Sequence, residues 1–247
     1  MNEIVTYLTW DSDHWGITIG KVNCFRLNTD NANLIKESLS QEQWRCLYFL
    51  ADATCPLTIN LAHSLGFRFI DTRITLELEL GKYNRQKIPF FTKKIERATE
   101  AKMHPLQSMA ASSHNNTRFF KDQNFDQSRA EQLYSRWIER DLERGIIFVT
   151  KSDTESANAI DGYISCYISE GYIGHISLIA VNSSVRGQGV GNVLLQKALD
   201  YFWDNQCKRV VVPTQADNIA ALRLYEKAGF CVTDSKVWFH HWSPTGT

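Results

Sequence analysis

The chain lacks any apolar run approaching the ~18 consecutive residues that a membrane-spanning helix needs. Its opening, MNEIVTYLTWDSDHWG, has neither the basic stretch nor the apolar core of a secretory signal. No membrane partner and a cytoplasmic location are therefore expected. A surplus of one charge is missing too: 27 lysines and arginines stand against 27 aspartates and glutamates. Nucleic-acid binders usually carry a basic excess that neutralises phosphates, so no nucleic-acid partner is expected. The cysteines, Cys24, Cys46, Cys55, Cys166, Cys207 and Cys231, form no C-x-x-C pair and do not cluster with histidine at metal-ligand spacing. Reduced, mostly buried thiols and no metal site follow. His240 and His241 do not change this. Adjacent strand residues point to opposite faces, and no third ligand is apparent.

What is present fits an ordinary globular chain of 247 residues, with 43% hydrophobic and 22% charged positions. That length suits one large domain or two small ones. No repeat of fixed period appears. The pattern divides into an N-terminal α/β part, residues 1–85, and a second part, residues 86–247. In the first, ITIGKVNCF reads as strand, and residues 31–39 and 57–65 have helical spacing, the latter stopped by Gly66. FRFIDTRITLELEL alternates at period two, most clearly over 74–80, as a half-buried strand does. In the second, residues 93–109 are helix-prone and 114–126 read as a loop. Residues 130–142 form an amphipathic helix with Leu133, Trp137 and Ile138 on one side. Strands over 146–150, 160–169 and 172–181 form an antiparallel meander. Helix 189–203, strand 209–215, helix 218–228 and a last strand or pair over 232–242 follow. A mixed, mostly antiparallel α/β (α+β) sheet flanked by helices is the expected fold class.

The densest signal is RGQGVG, from Arg186 to Gly191, between an apolar strand and an amphipathic helix. Gly189 and Gly191 lie where the chain turns from strand into helix, and lacking a Cβ they let backbone amides approach an anion. A helix N-terminus offers unpaired N–H groups and partial positive charge, which together make a pyrophosphate cradle. Arg186 adds a cation. The P-loop spacing is absent. A dinucleotide fingerprint fails because position 192 is Asn and no acidic residue follows at the required distance.

Arg186-x-x-Gly189-x-Gly191 after SLIAV resembles the acetyl-CoA signature of the GNAT superfamily of N-acetyltransferases. The resemblance continues in VVPTQADNIAALRLYEKAGF, where Asn218, Ala221, Tyr225, Gly229 and Phe230 match the second characteristic block. Beyond these blocks, TWDSDHWGITIGKV, LGF at 65–67, RFFKDQNF, LYSRWI and WFHHW resemble the TDP-fucosamine acetyltransferases. These acetylate the 4-amino group of a nucleotide-linked 4,6-dideoxy sugar for cell-surface polysaccharide biosynthesis. Their N-terminal extension resembles a partial GNAT fold without the CoA loop.

The resemblance implies acetyl-CoA as co-substrate and direct attack of an amine on the thioester. It places Leu178, Ile179, Ala180 and Val181 against acetyl-pantetheine. Arg186, Gly187, Gln188, Gly189, Val190, Gly191 and Asn192 fall at the pyrophosphate, with Asn218, Ala221 and Tyr225 beside CoA. Tyr225 is the candidate general acid, since a phenol holds its proton at neutral pH. Asn218 is also a natural helix cap. His175 is the candidate base, with Glu77 and Glu79 as alternatives acting through water. Arg118, Phe119, Phe120 and Asp122, with Trp238 and His240, are candidates for a diphosphate and a base. A homodimer is compatible with exposed strands. A protein N-terminal or small-amine acetyltransferase and a non-catalytic acyl-CoA sensor are the rival readings.

Overall fold

The computed structural model describes residues 3–41, 43–83, 94–152 and 159–244. Its strands are β1 (Val5–Tyr7), β2 (Ile19–Val22), β3 (Cys46–Asp52), β4 (Arg68–Glu79), β5 (Ile95–Arg97), β6 (Ile146–Lys151), β7 (Ile160–Ser169), β8 (Ile173–Val181), β9 (Arg209–Gln215) and β10 (Cys231–Trp242). They form one sheet in the order β1-β2-β3-β10-β4-β9-β8-β7-β6-β5. Among the described residues, only the β2/β3 and β8/β9 pairs are parallel. The last strand, β10, lies between β3 and β4, so strands from both ends of the chain interleave.

Helices cover both faces. One face carries α1 (Thr9–Trp15), α4 (Met103–Ser113), the single turn α5 (Arg118–Lys121) and α6 (Gln127–Arg144). Trp15, Leu106, Phe119, Leu133 and Ile138 from these helices pack with Tyr48, Ile147, Tyr163 and Leu178 of the sheet. The opposite face holds two cores. Ile35 of α2 (Thr29–Ser40) and Ala62 of α3 (Pro56–Ser64) meet Leu47, Phe49 and Phe239. Leu194, Leu199 and Phe202 of α7 (Val190–Asp204), with Tyr225 of α8 (Ile219–Lys227), meet Leu76, Phe148, Ile164 and Ile176. Alternation along β3 sends Cys46 and Tyr48 to the first face and Leu47 and Phe49 to the second.

Most elements fall where periodicity predicts them. The stretch 93–109 does not: Ile95–Arg97 pairs with β6, and the helix begins only at Met103. Cross-strand pairing there overrides a polar, helix-prone composition. The 114–126 loop contains the turn of α5. The helix Thr9–Trp15 and the strand Cys46–Asp52 have no counterpart in the periodicity reading. All six cysteines are free; Cys46, Cys166 and Cys207 are buried and Cys231 is exposed. No helix among the described residues is long and apolar enough to cross a membrane.

Candidate active site

The site begins where two parallel strands part. The register of β8 with β9 runs only from Ile173↔Arg209 to His175↔Val211. Beyond it the strands diverge, and a cleft of about 560 Å³ passes between them. Asn218, Ala221 and Tyr225 line it on the α8 side, and Trp137, Arg140 and Arg144 of α6 line it on the other. His175 to Ile179 form its strand wall.

A β-bulge shapes that wall. Ser165 pairs with Leu178 but Cys166 pairs with Ile176, leaving Ser177 extra. The slip reverses the side-chain alternation. Ile176 packs under α7, whereas Leu178 and Ala180 pack toward α6. The Leu178 amide turns to β7, where it donates to Ser165 Oγ at 3.0 Å. Alternation then sends the amides of Ile179 and Val181 to the open side, where no strand lies opposite. An extended thioester-bearing arm fits this edge as an additional strand. The carbonyl of Val181 accepts from Arg186 Nε at 3.2 Å.

One buried carboxylate fastens the bulge. Asp141 is 1% exposed. Ser165 Oγ donates to Asp141 Oδ2 at 2.7 Å, and Arg144 Nη2 lies 2.7 Å from Asp141 Oδ1. Arg144 also donates to Ser177 Oγ at 3.1 Å and covers the Tyr167 ring. Replacing Ser165 by Ala leaves the Leu178 amide and Asp141 without their shared partner. We expect Ser165→Ala to lose about 1–3 kcal/mol of stability in urea unfolding. An unchanged midpoint would show that the bulge does not depend on this hydroxyl.

The glycine loop follows β8. Gly187 and Gly189 have φ of 79° and 85°, in the left-handed region, and Gly189 is the N-cap of α7 without a side-chain cap bond. Gly191 sits inside the first helical turn, so the turn is made at 187 and 189 rather than at 189 and 191. The first-turn amides of Val190, Gly191 and Asn192 have no carbonyl one turn earlier to accept from them. Arg186 to Asn192, with Ala180 and Val181, lie outside the lining of the cleft, continuing the edge of β8 away from it. Asn218 caps α8, accepting from the Ala221 amide at 3.2 Å.

Tyr225 is 2% exposed, yet it lines the cleft. Burial pushes its phenol well above the usual value. His175 stands where the strands part, stacked on Tyr167 at 4.6 Å, with Nε2 2.9 Å from Ser169 Oγ. Burial, then Arg144 and Arg209, lower its pKa, so it is neutral at pH 7. Glu77 pairs with Arg209 at 2.9 Å, and neither Glu77 nor Glu79 lines the cleft.

The RFFKDQNF segment is divided. Arg118 and Phe119 line the cleft with Trp238, while Phe120 stacks on Tyr134. Asp122 and His240 are 4% and 0% exposed and stand behind Arg118. Burial lowers the His240 pKa to about 4, Asp122 opposing, so the ring is neutral. His240 Nδ1–H therefore donates to Asp122 Oδ2 at 2.6 Å, and Nε2 accepts from Arg118 Nη1 at 3.2 Å. The guanidinium lies 3.9 Å from the Trp238 ring centre and 4.1 Å from that of Tyr48. Arg73, Thr75, His114, Arg140 and Arg144 also line the cleft and escaped the sequence reading. Trp137, Arg140, Asp141 and Arg144 fall on one helical stripe, a signal that was available in the sequence. No group of three or more potential metal ligands occurs among the described residues.

A mixed sheet opened between two parallel strands, with a left-handed glycine turn into a helix beside the opening, defines the GNAT fold. Residues 112–230, just under half of the chain, match the family model "Acetyltransferase (GNAT) family". A GCN5-related N-acetyltransferase from Sphaerobacter thermophilus superposes with a TM-score of 0.66 at 14% identity, covering 98% of this chain and 77% of that one. N-alpha-acetyltransferase 30 of Schizosaccharomyces pombe is 38% identical over 58 residues, 24% of this chain and 39% of the relative. The spore coat polysaccharide biosynthesis protein SpsD of Bacillus subtilis is 24% identical over 136 residues, 54% of this chain and 45% of the relative. The chain thus spans less than half the length of these curated relatives.

Proposed function

We propose that the protein transfers an acetyl group from acetyl-CoA to the 4-amino group of a TDP-linked 4-amino-4,6-dideoxy sugar. The observation that carries this reading is the cleft that runs through the sheet. A candidate acid and the free edge of β8 stand at one mouth, and a guanidinium stacked on aromatic rings stands at the other. The amine nitrogen forms a bond to the thioester carbon while the C–S bond breaks. His175, directly or through water, accepts the proton that the amine loses. An open-side amide of β8 donates to the carbonyl oxygen as it gains charge. Tyr225 faces the departing sulfur. Residues 86–247 supply this chemistry, and residues 1–85 add Asp71, Arg73 and Thr75 to the acceptor side.

Cations and rings suit a diphosphate and a base. The SpsD similarity is consistent with sugar chemistry in polysaccharide biosynthesis, in the cytoplasm. The similarity to N-alpha-acetyltransferase 30 favours a peptide amine instead, over a much shorter stretch. Steady-state assays with acetyl-CoA decide between them. We expect turnover of the TDP-amino sugar and none of N-terminal peptides; the reverse would replace this reading with the peptide one. In the same assay His175→Ala should lower kcat about tenfold or more with KM for acetyl-CoA unchanged. An unaltered kcat would assign proton removal to water alone.

A further inference from the structure

Resting on the nucleotide-sugar reading, we propose that Arg73, Arg118 and Arg140 form a built anion cradle that takes the diphosphate of the acceptor. The three come from different elements, β4, α5 and α6, yet all line the same cleft. None has a carboxylate within ion-pair distance among the described residues. Arg144 of the same helix differs, being tied to Asp141.

The polar atoms around them are waiting for a partner. Arg73 Nε, Arg140 Nε, Trp137 Nε1 and Thr75 Oγ1 are buried without any hydrogen bond. Thr75 is only 8% exposed and opens onto the cleft. Buried donors left unmade are costly, and three guanidinium groups desolvated together repel one another. Burial lowers the pKa of Arg73, with Asp234 opposing and Arg118 lowering it further. Burial likewise lowers that of Arg140, with Arg144 adding to the effect.

No carboxylate among the described residues forms an ion pair with the three: Asp234, which acts on Arg73 from a distance, is held by Lys236. Asp71 is bound to Lys121 at 2.7 Å, and Asp141 is bound to Arg144. Asp11 of α1 feels both Arg118 and Arg140 but pairs with neither. Lys21 of β2 adds a further cation that feels Arg118 and Arg73. A neutral peptide backbone would leave this surplus uncompensated, and a polyamine would be repelled. A diphosphate diester brings two negative charges and several oxygens matched to planar guanidinium forks. Rings cover the face of Arg118 and His240 holds one of its amino groups, so its remaining N–H edge is preset toward the cleft.

The test uses the full chain saturated with CoA, with the fluorescence of cleft tryptophans Trp137 and Trp238 as readout. Inorganic pyrophosphate and TDP should bind saturably, and thymidine should not. Arg73→Gln and Arg140→Gln should each weaken pyrophosphate about tenfold or more, with Arg73→Lys intermediate and CoA affinity and thermal unfolding near wild type. Added salt should weaken binding in the wild type more steeply than in either variant. Wild type that ignores pyrophosphate, or Gln variants that bind it equally well, would overturn the cradle. The two readings fail separately. Normal KM for a TDP-amino sugar in both Gln variants removes the cradle and leaves the acceptor. Pyrophosphate binding lost in the variants, with no nucleotide sugar ever acetylated, keeps the cradle and removes the acceptor.

Discussion

Tyr225→Phe is expected to lower kcat by about 10- to 100-fold while leaving the affinity for acetyl-CoA unchanged. The phenol is enclosed at the α8 wall of the cleft, and burial holds its pKa well above 10. It is therefore a donor at every working pH. The same shift makes complete proton transfer to a thiolate uphill, because an ordinary thiol titrates near 8.5. The contribution of Tyr225 is then a charge-assisted hydrogen bond to sulfur as the C–S bond breaks, about 1.5–3 kcal/mol, which sets the size of the fall. The departing sulfur takes its final proton from the cleft afterwards. Steady-state kinetics across pH check this. The wild type should show no loss of kcat attributable to Tyr225 below pH 10. A loss above about a thousandfold would mean full proton transfer in the rate-limiting step. An unchanged kcat would remove Tyr225 from the chemistry and leave it a core aromatic beside Phe230, 5.5 Å away.

Features written in local chain chemistry were legible in the sequence. Gly189 and Asn218 announce the starts of two helices, because left-handed turns and side-chain caps depend on few neighbours. The strand SLIAV and the amphipathic helix of Leu133 and Ile138 follow from periodicity alone. The bulge at Ser177 was not legible. A strict alternation reads Ile176, Leu178 and Ala180 as one face, yet Ile176 belongs to the opposite core. That reversal depends on Ser165 and Asp141, which are distant in sequence from β8. The cleft was half legible. Arg118 and Trp238 stood out as a cation and a ring. Arg73 did not, since an arginine on an alternating strand reads as a solvent-facing position. It faces the cleft only because β4 is inserted between β9 and β10. Asp122 and His240 were legible as polar residues near the site but not in their place behind Arg118, which is a matter of packing.

Acid should unfold this protein well before its carboxylates titrate. His240 and His114 are both held neutral by burial, each with its pKa lowered from 6.5 to about 4. His240 donates to Asp122, and His114 lies against Tyr163 Oη at 2.8 Å and stacks on Tyr134. In the unfolded chain both rings regain the ordinary histidine value. Between pH 6.5 and 4 the unfolded state therefore binds two more protons than the folded one from this pair. Because the folded pKa values are depressed, the stabilisation is complete above pH 6.5 and is lost as pH falls toward 4. Each histidine accounts for about 3 kcal/mol across that window, a large share of a typical total of about 5–15 kcal/mol. His14 adds in the same direction: burial lowers its pKa, and its Nδ1 accepts from Arg136 at 3.1 Å. Urea unfolding at pH 7.5, 6 and 5 should show stability dropping steeply at each step. His114→Gln, which cannot take up a proton, should reduce that slope by about one proton. Below pH 4 Asp122 adds its own loss, since the hydrogen bonds from His240 and Trp242 outweigh burial and hold its carboxyl at about 2. A stability that stays flat from pH 7.5 to 5 would mean that both imidazoles charge within the fold, and the bond from Arg118 Nη1 to His240 Nε2 would then be lost, because a guanidinium cannot accept.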